Sequence, residues 1–281
     1  MTGTPTRTEP PRAHCIADSA GGVTFDIVGD ASPGAVLVLR RRGGKTAADT
    51  MRLPLTPTGA GRLRAVLPST VELAEGRWDA FTTQGDETGE QRIEPGRRDL
   101  RSLVDRAPDP GRAQVAVRIP YPTLDGKLAV RSWSRAPHAE AGAVTFASGA
   151  MTVEGRLYGA GLGEGAAVEA RLRGAEKDVR RVPVTGGEDG MFTFTLAYEP
   201  LAEGRGDEQR LWDLWLCPAD GSPGIRIGRI LDDVWDKKTV FRYPVLPVEG
   251  PRVTRPTTAY PYFTADNDLS VRLDTAKHTA G

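Results

Sequence analysis

An internal repeat limits the possible folds of this chain more than any other part of its sequence. The segment YPTLDGKLAVR (Tyr121 to Arg131) returns as YFTADNDLSVR (Tyr262 to Arg272), 141 positions further on. Matching segments precede both copies in the same order, so that Trp78-Asp79 returns as Trp212-Asp213, 134 positions on. Two copies of about 120 residues predict tandem domains rather than a solenoid.

The residues inside each copy alternate in the manner of strands. VTFDIVG (residues 23–29) and its counterpart MTVEGRLYG (151–159) place apolar residues at every second position. Turn formers separate such segments at intervals of roughly 8 to 12 residues, and the chain contains 33 Gly and 22 Pro. We therefore predict an all-β protein with two tandem immunoglobulin-like antiparallel β-sandwich domains related by internal duplication. The Cys–Trp–Cys framework of antibody domains is absent, so only the general architecture is predicted.

Composition indicates where these domains begin and end. Residues 1–13 are rich in Thr, Pro and Arg and have no hydrophobic period, which predicts a disordered tail. The first sandwich is predicted over residues 14–134 and the second over residues 143–275. The stretch 134–143 between them contains RAPHAEAGA, which is rich in turn formers and poor in large apolar residues, and it is predicted to be the linker.

Charge and hydropathy limit the partners of the protein. Its 37 basic and 37 acidic residues create no net field that would favour nucleic acid or an acidic membrane surface. The first thirty residues lack the apolar run of about seven that a secretory signal needs, and no run of about eighteen exists for a membrane span. We therefore expect a cytoplasmic protein that neither binds nucleic acid nor inserts into a membrane.

Cysteine and histidine are too scattered to indicate a metal site or a hydrolytic nucleophile. Cys15 and Cys217 stand at no metal-ligand spacing and are expected to be free thiols. His14 and His278 lie near the termini and His138 lies in the predicted linker, so a rigid Ser-His-Asp or Cys-His unit is not expected. No glycine-rich nucleotide motif opens a helix, and no cofactor or metal is predicted.

Tryptophans and one acidic tract are the most conspicuous candidates for function. Trp78 and Trp212 are predicted to fill the two cores, whereas Trp215, three positions after Trp212, would lie on the opposite face of its strand. LDDVWD (residues 231–236) places three carboxylates close together, but nothing supplies further ligands at a recognisable spacing. We interpret the tract as charge in a solvated turn or at a helix end, and TADND (264–268) as a hairpin turn.

The order of a Trp-Asp strand, an R-x-L-D-like tract and a closing Y-x-T-x-x-x-x-L-x-V-R segment resembles a known group of modules. These sandwich modules occur alone, in tandem or appended to CDP-glycerol glycerophosphotransferase-like and other glycosyltransferases of actinobacteria. The resemblance covers both repeats and implies a transferase-like label. No stretch of this sequence, however, shows the alternating strands and helices of the transferases' own nucleotide-binding domain.

Three functions remain open at this point. The first is a binding or accessory protein of a cell-envelope glycan or natural-product pathway, without classical catalytic motifs, whose partner is a glycan, a small molecule or a protein. The second is a cyclase or transferase of secondary metabolism that acts on a small molecule in the cleft between the domains. The third is a structural spacer. The residues predicted to line a ligand site are Trp133, Tyr121, Trp215, Trp235, Tyr260 and Tyr262 as apolar walls, with Arg229, Asp232 and Asp233 as polar groups.

Overall fold

The computed structural model describes residues 10–28, 34–59, 61–83, 89–104, 106–108, 113–147, 149–175, 177–204, 206 and 208–275. Strands dominate this part of the chain, and its α-helices are the single turns α1 (Glu199–Ala202) and α2 (Lys237–Val240). None of the described helices has the length and apolar character needed to cross a bilayer. The predicted all-β class is confirmed.

The described residues cluster into two compact units. Those within Met1–Pro108, Ala116–Ser134 and Leu231–Trp235 form unit 1. Those within Asp109–Val115, Arg135–Ile230 and Asp236–Gly281 form unit 2.

Unit 1 is built from two mainly antiparallel sheets. Its strands are β1 (Arg12–Ala17), β2 (Val23–Val28), β3 (Val36–Arg41), β4 (Thr50–Pro54), β5 (Thr56–Gly59), β6 (Arg62–Leu67), β7 (Gly76–Thr83), β8 (Gln91–Arg92), β9 (Glu94–Asp99), β10 (Val115–Pro122) and β11 (Leu128–Arg135). One sheet has the order β5-β6-β2-β1-β9, and the other has the order β10-β11-β7-β3-β4 with β8 beside β7. Phe25 and Leu67 of the first sheet share a buried core with Leu39 and Trp78 of the second.

Unit 2 repeats this arrangement with its sheets joined. Its strands are β12 (His138–Ala147), β13 (Ala150–Tyr158), β14 (Ala167–Leu172), β15 (Val179–Pro183), β16 (Thr185–Gly186), β17 (Met191–Ala197), β18 (Arg210–Cys217), β19 (Ile225–Gly228), β20 (Leu246–Val248), β21 (Thr257–Phe263) and β22 (Leu269–Thr275). The main path is β16-β17-β13-β12-β19-β18-β22-β21-β20, and β14 pairs with both β18 and β15. The core contains Trp212, Phe192 and Phe263.

The strand orders of the two units correspond. The order β5-β6-β2-β1-β9 of unit 1 matches β16-β17-β13-β12-β19 of unit 2, and β10-β11-β7-β3-β4 matches β21-β22-β18-β14-β15. In both units the first strand is paired in parallel with a later one, β1 with β9 and β12 with β19. This correspondence supports the predicted duplication, while the immunoglobulin-like class stays a prediction.

The structure places a strand at the start of each unit where the sequence predicted a tail or a linker. Strand β1 includes Arg12 and Ala13 of the predicted tail 1–13, whose residues 1–9 lie outside the described part of the chain. Strand β12 begins at His138, inside the predicted linker at 134–143. Both strands pair on two sides and bury small residues, among them Ala13 and Ala139. Because the residues that these strands bury are small, the alternation of large apolar and polar side chains that marks other strands is weak in β1 and β12.

Both closing hairpins form as predicted. In the turns Thr123–Lys127 and Thr264–Asp268, the N–H of the first residue donates to the carbonyl oxygen of the last at 2.8 Å. The left-handed position of the turn is taken by Gly126 in one copy (φ 72°) and by Asn267 in the other (φ 60°), two residue types that tolerate this conformation. Strands β11 and β22 follow the turns and carry the Leu and Val residues buried in each core.

Candidate functional site

A cavity of about 590 Å³ lies on one face of the sheet of unit 2. Aromatic and basic side chains dominate its lining: Phe241, Tyr243, Tyr260 and Tyr262 together with Arg173, Lys238, Arg242 and Arg272. None of the described lining residues is acidic.

The floor of this cavity comes from the alternation of β21. Ala259 and Phe263 are buried, whereas Tyr260 and Tyr262 are only partly covered, because successive side chains of a strand point to opposite faces. The two tyrosines therefore share the face that borders the cavity. Burial raises the pKa of Tyr260, so its hydroxyl stays protonated and able to donate a hydrogen bond at neutral pH.

A row of residues crosses three strands beside Tyr260. Tyr260 is opposite Arg272 in the β21–β22 register, and Arg272 is opposite Leu211 in the β18–β22 register. The guanidinium carbon of Arg272 lies 5.8 Å from the centre of the Tyr260 ring. Arg173 extends the row, since its N–H donates to the Leu211 carbonyl oxygen at 2.8 Å. The row thus presents one aromatic ring, two cations and a leucine side chain to the cavity.

The segment that follows α2 supplies the wall. Helix α2 starts where Asp236 accepts a hydrogen bond from the Lys238 N–H at 3.1 Å, as an N-cap residue does. The chain then continues to Phe241 and Tyr243, which pack on the buried Phe263 ring with centroid distances of 5.7 and 6.2 Å. These contacts hold both aromatic side chains in place against the core.

The four basic residues of the cavity differ in whether they form ion pairs with carboxylates of the protein. Arg173 is bound to Asp213 at 2.6 Å and Arg272 to Asp274 at 2.7 Å, so each of these guanidinium groups already has a carboxylate partner. Hydrogen bonding to Asp213 raises the pKa of Arg173. Lys238 and Arg242 are exposed, and neither makes an ion pair with any described residue. Their charges are available to a ligand.

A polar network lies beneath the Arg173 end of the cavity. Asp213 accepts hydrogen bonds from Arg226 at 2.9 Å and from the Ser270 hydroxyl at 2.8 Å, in addition to those from Arg173. Arg226 also donates to the carbonyl oxygens of Leu214 and Leu269 at 2.8 and 3.1 Å. The network ties β18, β19 and β22 together and fixes the carboxylate that orients Arg173.

The predicted ligand-binding residues are distributed over both units. Tyr260 and Tyr262 line the cavity of unit 2. Tyr121 and Trp235 stack on each other in unit 1, with ring centroids 4.2 Å apart. Trp133 is fully buried in β11, and the guanidinium carbon of Arg131 lies 4.7 Å from its ring centre, so its surface is not accessible to a ligand.

The remaining predicted residues lie outside the cavity lining. Trp215 is partly exposed between the guanidinium groups of Arg171 and Arg226, at 4.7 and 5.4 Å from the ring centre, whereas Trp212 is fully buried as predicted. Arg229 covers Phe241 at 4.5 Å.

The acidic tract forms the solvated turn and helix end predicted for it. Asp232 accepts a hydrogen bond from the Val234 N–H at 2.9 Å. Asp233 is partly exposed, and Asp236 caps α2.

Sequence reasoning missed Phe241, Tyr243 and Arg173. The first two belong to the apolar alternation of FRYPV (241–245), which the acidic tract before it obscured. The repeat could have identified Arg173, because Arg42 holds the equivalent position in unit 1. Each of these arginines follows the strand that pairs with the Trp-Asp strand of its own unit. Arg42 binds Asp79, and Arg173 binds Asp213.

The described histidines have structural partners, one on a neighbouring strand and one on its own strand. His14 Nδ1 accepts a hydrogen bond from the Arg97 N–H at 2.9 Å, between β1 and β9. His138, predicted in a linker, is fully buried in β12, and its Nε2 lies 2.7 Å from a Glu140 carboxylate oxygen. His278 lies outside the described residues. Nowhere in the described part of the chain do three His, Cys, Asp or Glu side chains form a group that could hold a metal ion.

Comparisons with known proteins give only a weak structural likeness. No protein-family model matches the sequence, and no curated protein matches it. The chain is similar to the crystal structure of S. aureus TarS, a glycosyltransferase, with 15% identity and a TM-score of 0.30, over 66% of this chain and 35% of TarS. The structure of TarS residues 217–571 gives 15% identity and a TM-score of 0.29, over 66% of this chain and 55% of that one. The matched region thus spans about a third of TarS, and a likeness of this degree carries no argument about function.

Proposed function

We propose that the protein is a binding or accessory protein of a cell-envelope glycan pathway, and that the cavity of unit 2 binds an anionic saccharide. The observation that carries this proposal is the lining of four aromatic and four basic side chains without a carboxylate among the described lining residues. A cavity of about 590 Å³ falls within the range of roughly 300–1,000 Å³ typical of small-ligand sites.

The chemistry of the lining suits a charged sugar. The C–H faces of a sugar ring are apolar and pack against aromatic rings such as those of Tyr260 and Tyr262, while its hydroxyl groups exchange hydrogen bonds with tyrosine hydroxyls. Lys238 and Arg242 supply charges for a phosphate or carboxylate substituent. Arg173 and Arg272, each paired with a carboxylate, add two further cations to the lining.

A stacked tyrosine in unit 1 supports the proposal that Tyr262 packs against a ligand ring. Tyr121 opens the first repeated segment as Tyr262 opens the second, 141 positions later. Trp235 covers Tyr121 by stacking on it, whereas Tyr262 borders the cavity. A planar or ring-shaped ligand would cover Tyr262 as Trp235 covers Tyr121.

Binding to three polymers of matched length tests the proposal. Titration calorimetry would compare a poly(glycerol phosphate), a polygalacturonate and a neutral galactan at fixed ionic strength. We expect polygalacturonate, the anionic saccharide of the three, to bind and the galactan to bind at least tenfold more weakly, because a hydrogen bond to a charged group is worth about 1.5–3 kcal/mol. Failure of polygalacturonate to bind, or equal binding of poly(glycerol phosphate), which has no sugar ring, would overturn the proposal.

Variants locate the binding to this cavity. Tyr262→Ala should weaken binding about tenfold, and Tyr262→Phe, which keeps the ring, should retain most of it. The double change Lys238→Ala and Arg242→Ala should reduce both the affinity and its salt dependence. Arg62→Ala, an exposed basic position of unit 1, is the matched control and should bind as the parent does. Equal affinities in all of these variants would contradict the assignment.

A further inference from the structure

Unit 1 contains a second cavity, of about 500 Å³, whose lining is far more basic than that of unit 2. Its basic side chains are those of Arg41, Arg42, Lys45, Arg77 and Arg131, and Asp49 is the acidic residue among the described lining. Gly43, Gly44 and Gly76 complete the lining. Aromatic residues, which dominate the other cavity, do not contribute to this described lining.

The carboxylate of Asp49 is engaged within its own turn. It accepts hydrogen bonds from the Lys45 and Thr46 N–H groups at 3.0 Å each and from the Thr46 hydroxyl at 2.7 Å, and Arg41 binds it at 3.3 Å. These hydrogen bonds, led by that of the Thr46 side chain, lower the pKa of Asp49 to about 2. Asp49 therefore shapes the turn and balances Arg41, and the other cations around the cavity are not neutralised by it.

Glycine brings the backbone close to the fixed guanidinium group of Arg41. Arg41 donates to the Glu75 carbonyl oxygen through Nε at 3.0 Å and through a terminal nitrogen at 2.6 Å. A Cβ atom at Gly76, whose φ is 154°, would lie 2.9 Å from Arg41 Nε, and one at Gly44 would overlap the Asp49 side chain. Both positions require glycine for the turn and the Arg41 side chain to pack together.

Two further arginines have their positions set by neighbours. Arg42 is bound to Asp79 at 2.7 Å, and buried Arg131 lies over the Trp133 ring at 4.7 Å. Lys45 is exposed and makes no ion pair with a described residue. A bound anion would interact favourably with the several cations that surround this one concave space.

From this arrangement we propose that the cavity of unit 1 binds a phosphate-type anion with two or more charges, such as a diphosphate. Guanidinium groups donate pairs of N–H bonds that match phosphate oxygens, and oriented arginines lose little freedom when they bind. A space of about 500 Å³ exceeds what a single carboxylate fills. The site is separate from the saccharide cavity, and the proposal does not rest on the function assigned to unit 2.

The repeat provides a matched substitution. Arg77 is opposite Arg131 in the β7–β11 register, and Leu211 is opposite Arg272 in the β18–β22 register, so Arg77 and Leu211 hold equivalent places in the two units. Unit 2 accommodates leucine at this place. Arg77→Leu is therefore expected to fold, while it removes a charge from the cavity.

Titration of the full chain with inorganic pyrophosphate, and with citrate as a tricarboxylate of comparable charge, tests the proposal. We expect pyrophosphate to bind and to raise the melting temperature, with affinity at least tenfold higher than that of citrate. Arg77→Leu and Lys45→Ala should each lower this affinity about tenfold, since a hydrogen bond to a charged group is worth about 1.5–3 kcal/mol. Tyr262→Ala in unit 2 should leave it unchanged.

Three results would overturn the proposal: pyrophosphate does not bind, citrate binds equally well, or both charge-removing variants bind as the parent does. The circular dichroism spectrum of each variant establishes whether it is folded. Lys45→Ala keeps the test valid if Arg77→Leu fails to fold, because Lys45 is exposed. Loss of saccharide binding with pyrophosphate binding intact would reject the function of unit 2 alone.

Discussion

Tyr121 and Trp235 lie in parallel contact, with 4.2 Å between their ring centroids and 21° between their planes. Tyr121 is 3% exposed, and its hydroxyl has no hydrogen-bond partner among the described residues. Burial raises the pKa of this hydroxyl, while the charges of Arg42, Arg77 and Arg131 act in the opposite direction. The stack therefore covers a tyrosine that would otherwise face solvent beside a basic cavity.

Replacing Trp235 should destabilise unit 1. We expect Trp235→Ala to lower the free energy of unfolding by about 1–3 kcal/mol, less than for a fully buried tryptophan because Trp235 is half-buried. Trp235→Phe keeps an aromatic ring over Tyr121 and should recover at least half of this loss. Urea unfolding followed by circular dichroism measures both. A loss below about 0.5 kcal/mol in the alanine variant would show that the stack contributes little.

Asp213 should make the stability of unit 2 depend on pH. Burial opposes ionisation of this carboxyl, but hydrogen bonds from Arg173 and Ser270 and the charge of Arg226 hold its pKa below the usual 3.8. A folded pKa below the unfolded one means that the ionised group stabilises the fold above the unfolded pKa. That stabilisation is lost as the pH falls through the folded value.

The expected result is a pH-dependent effect of Asp213→Asn. This variant should lose about 2 kcal/mol at pH 7, because the largely buried Arg226 then loses the nearer of its two carboxylates and keeps only Asp268 at 3.9 Å, and the difference from the parent should shrink below about pH 4. Asp79→Asn is the control, since its partners Arg42 and Arg92 are 43% and 31% exposed and such pairs contribute about 0–1 kcal/mol each. Equal losses at pH 3 and pH 7 would contradict the role of Asp213. Urea titrations at both pH values provide the measurement.

The sequence predicted those parts of the fold that depend on local pattern. Alternation identified the core tryptophans Trp78 and Trp212, and turn residues identified both closing hairpins, because these features are set by neighbours along the chain. Strands β1 and β12 were missed because the residues they bury are mostly small, Ala13 and Ala139 among them, so that no alternation of large apolar side chains marks them. Each also pairs in parallel with a strand that is distant in sequence, β9 or β19, and no local pattern records such pairing.

The candidate site was only partly predictable for the same reason. Tyr260 and Tyr262 stand on one strand, and their common face follows from its period of two. Arg173 and Phe241 come from other segments, and only the sheet register and the turn after α2 bring them to the tyrosines. The predicted site consisted mainly of aromatic and acidic residues. It therefore missed the basic residues of the lining, which are Arg173, Lys238, Arg242 and Arg272.

Trp212 and Trp215 should differ strongly in their contribution to stability. Trp212 is fully buried in the core of unit 2, and Trp212→Ala is expected to cost about 3–5 kcal/mol. Trp215 is partly exposed between Arg171 and Arg226, where each cation–π contact is worth about 0.5–1 kcal/mol, so Trp215→Ala should cost roughly 1–2 kcal/mol. Urea midpoints of the two variants test this order. Similar losses of unfolding free energy in the two variants would mean that Trp215, on the partly exposed face of β18, packs as tightly as Trp212 does in the core.

The two cysteines should be inert in the folded protein. Both are free thiols and buried, with 1% exposure at Cys15 and 5% at Cys217. Burial raises the pKa of Cys15 to about 12 and also raises that of Cys217, so the reactive thiolate is scarce at pH 8. A disulfide reagent such as dithionitrobenzoate should label neither residue in buffer and both in urea. Cys217→Ser isolates Cys15, whose labelling should then proceed only as fast as unit 1 unfolds; rapid labelling of this variant in buffer would show that β1 opens from the sheet.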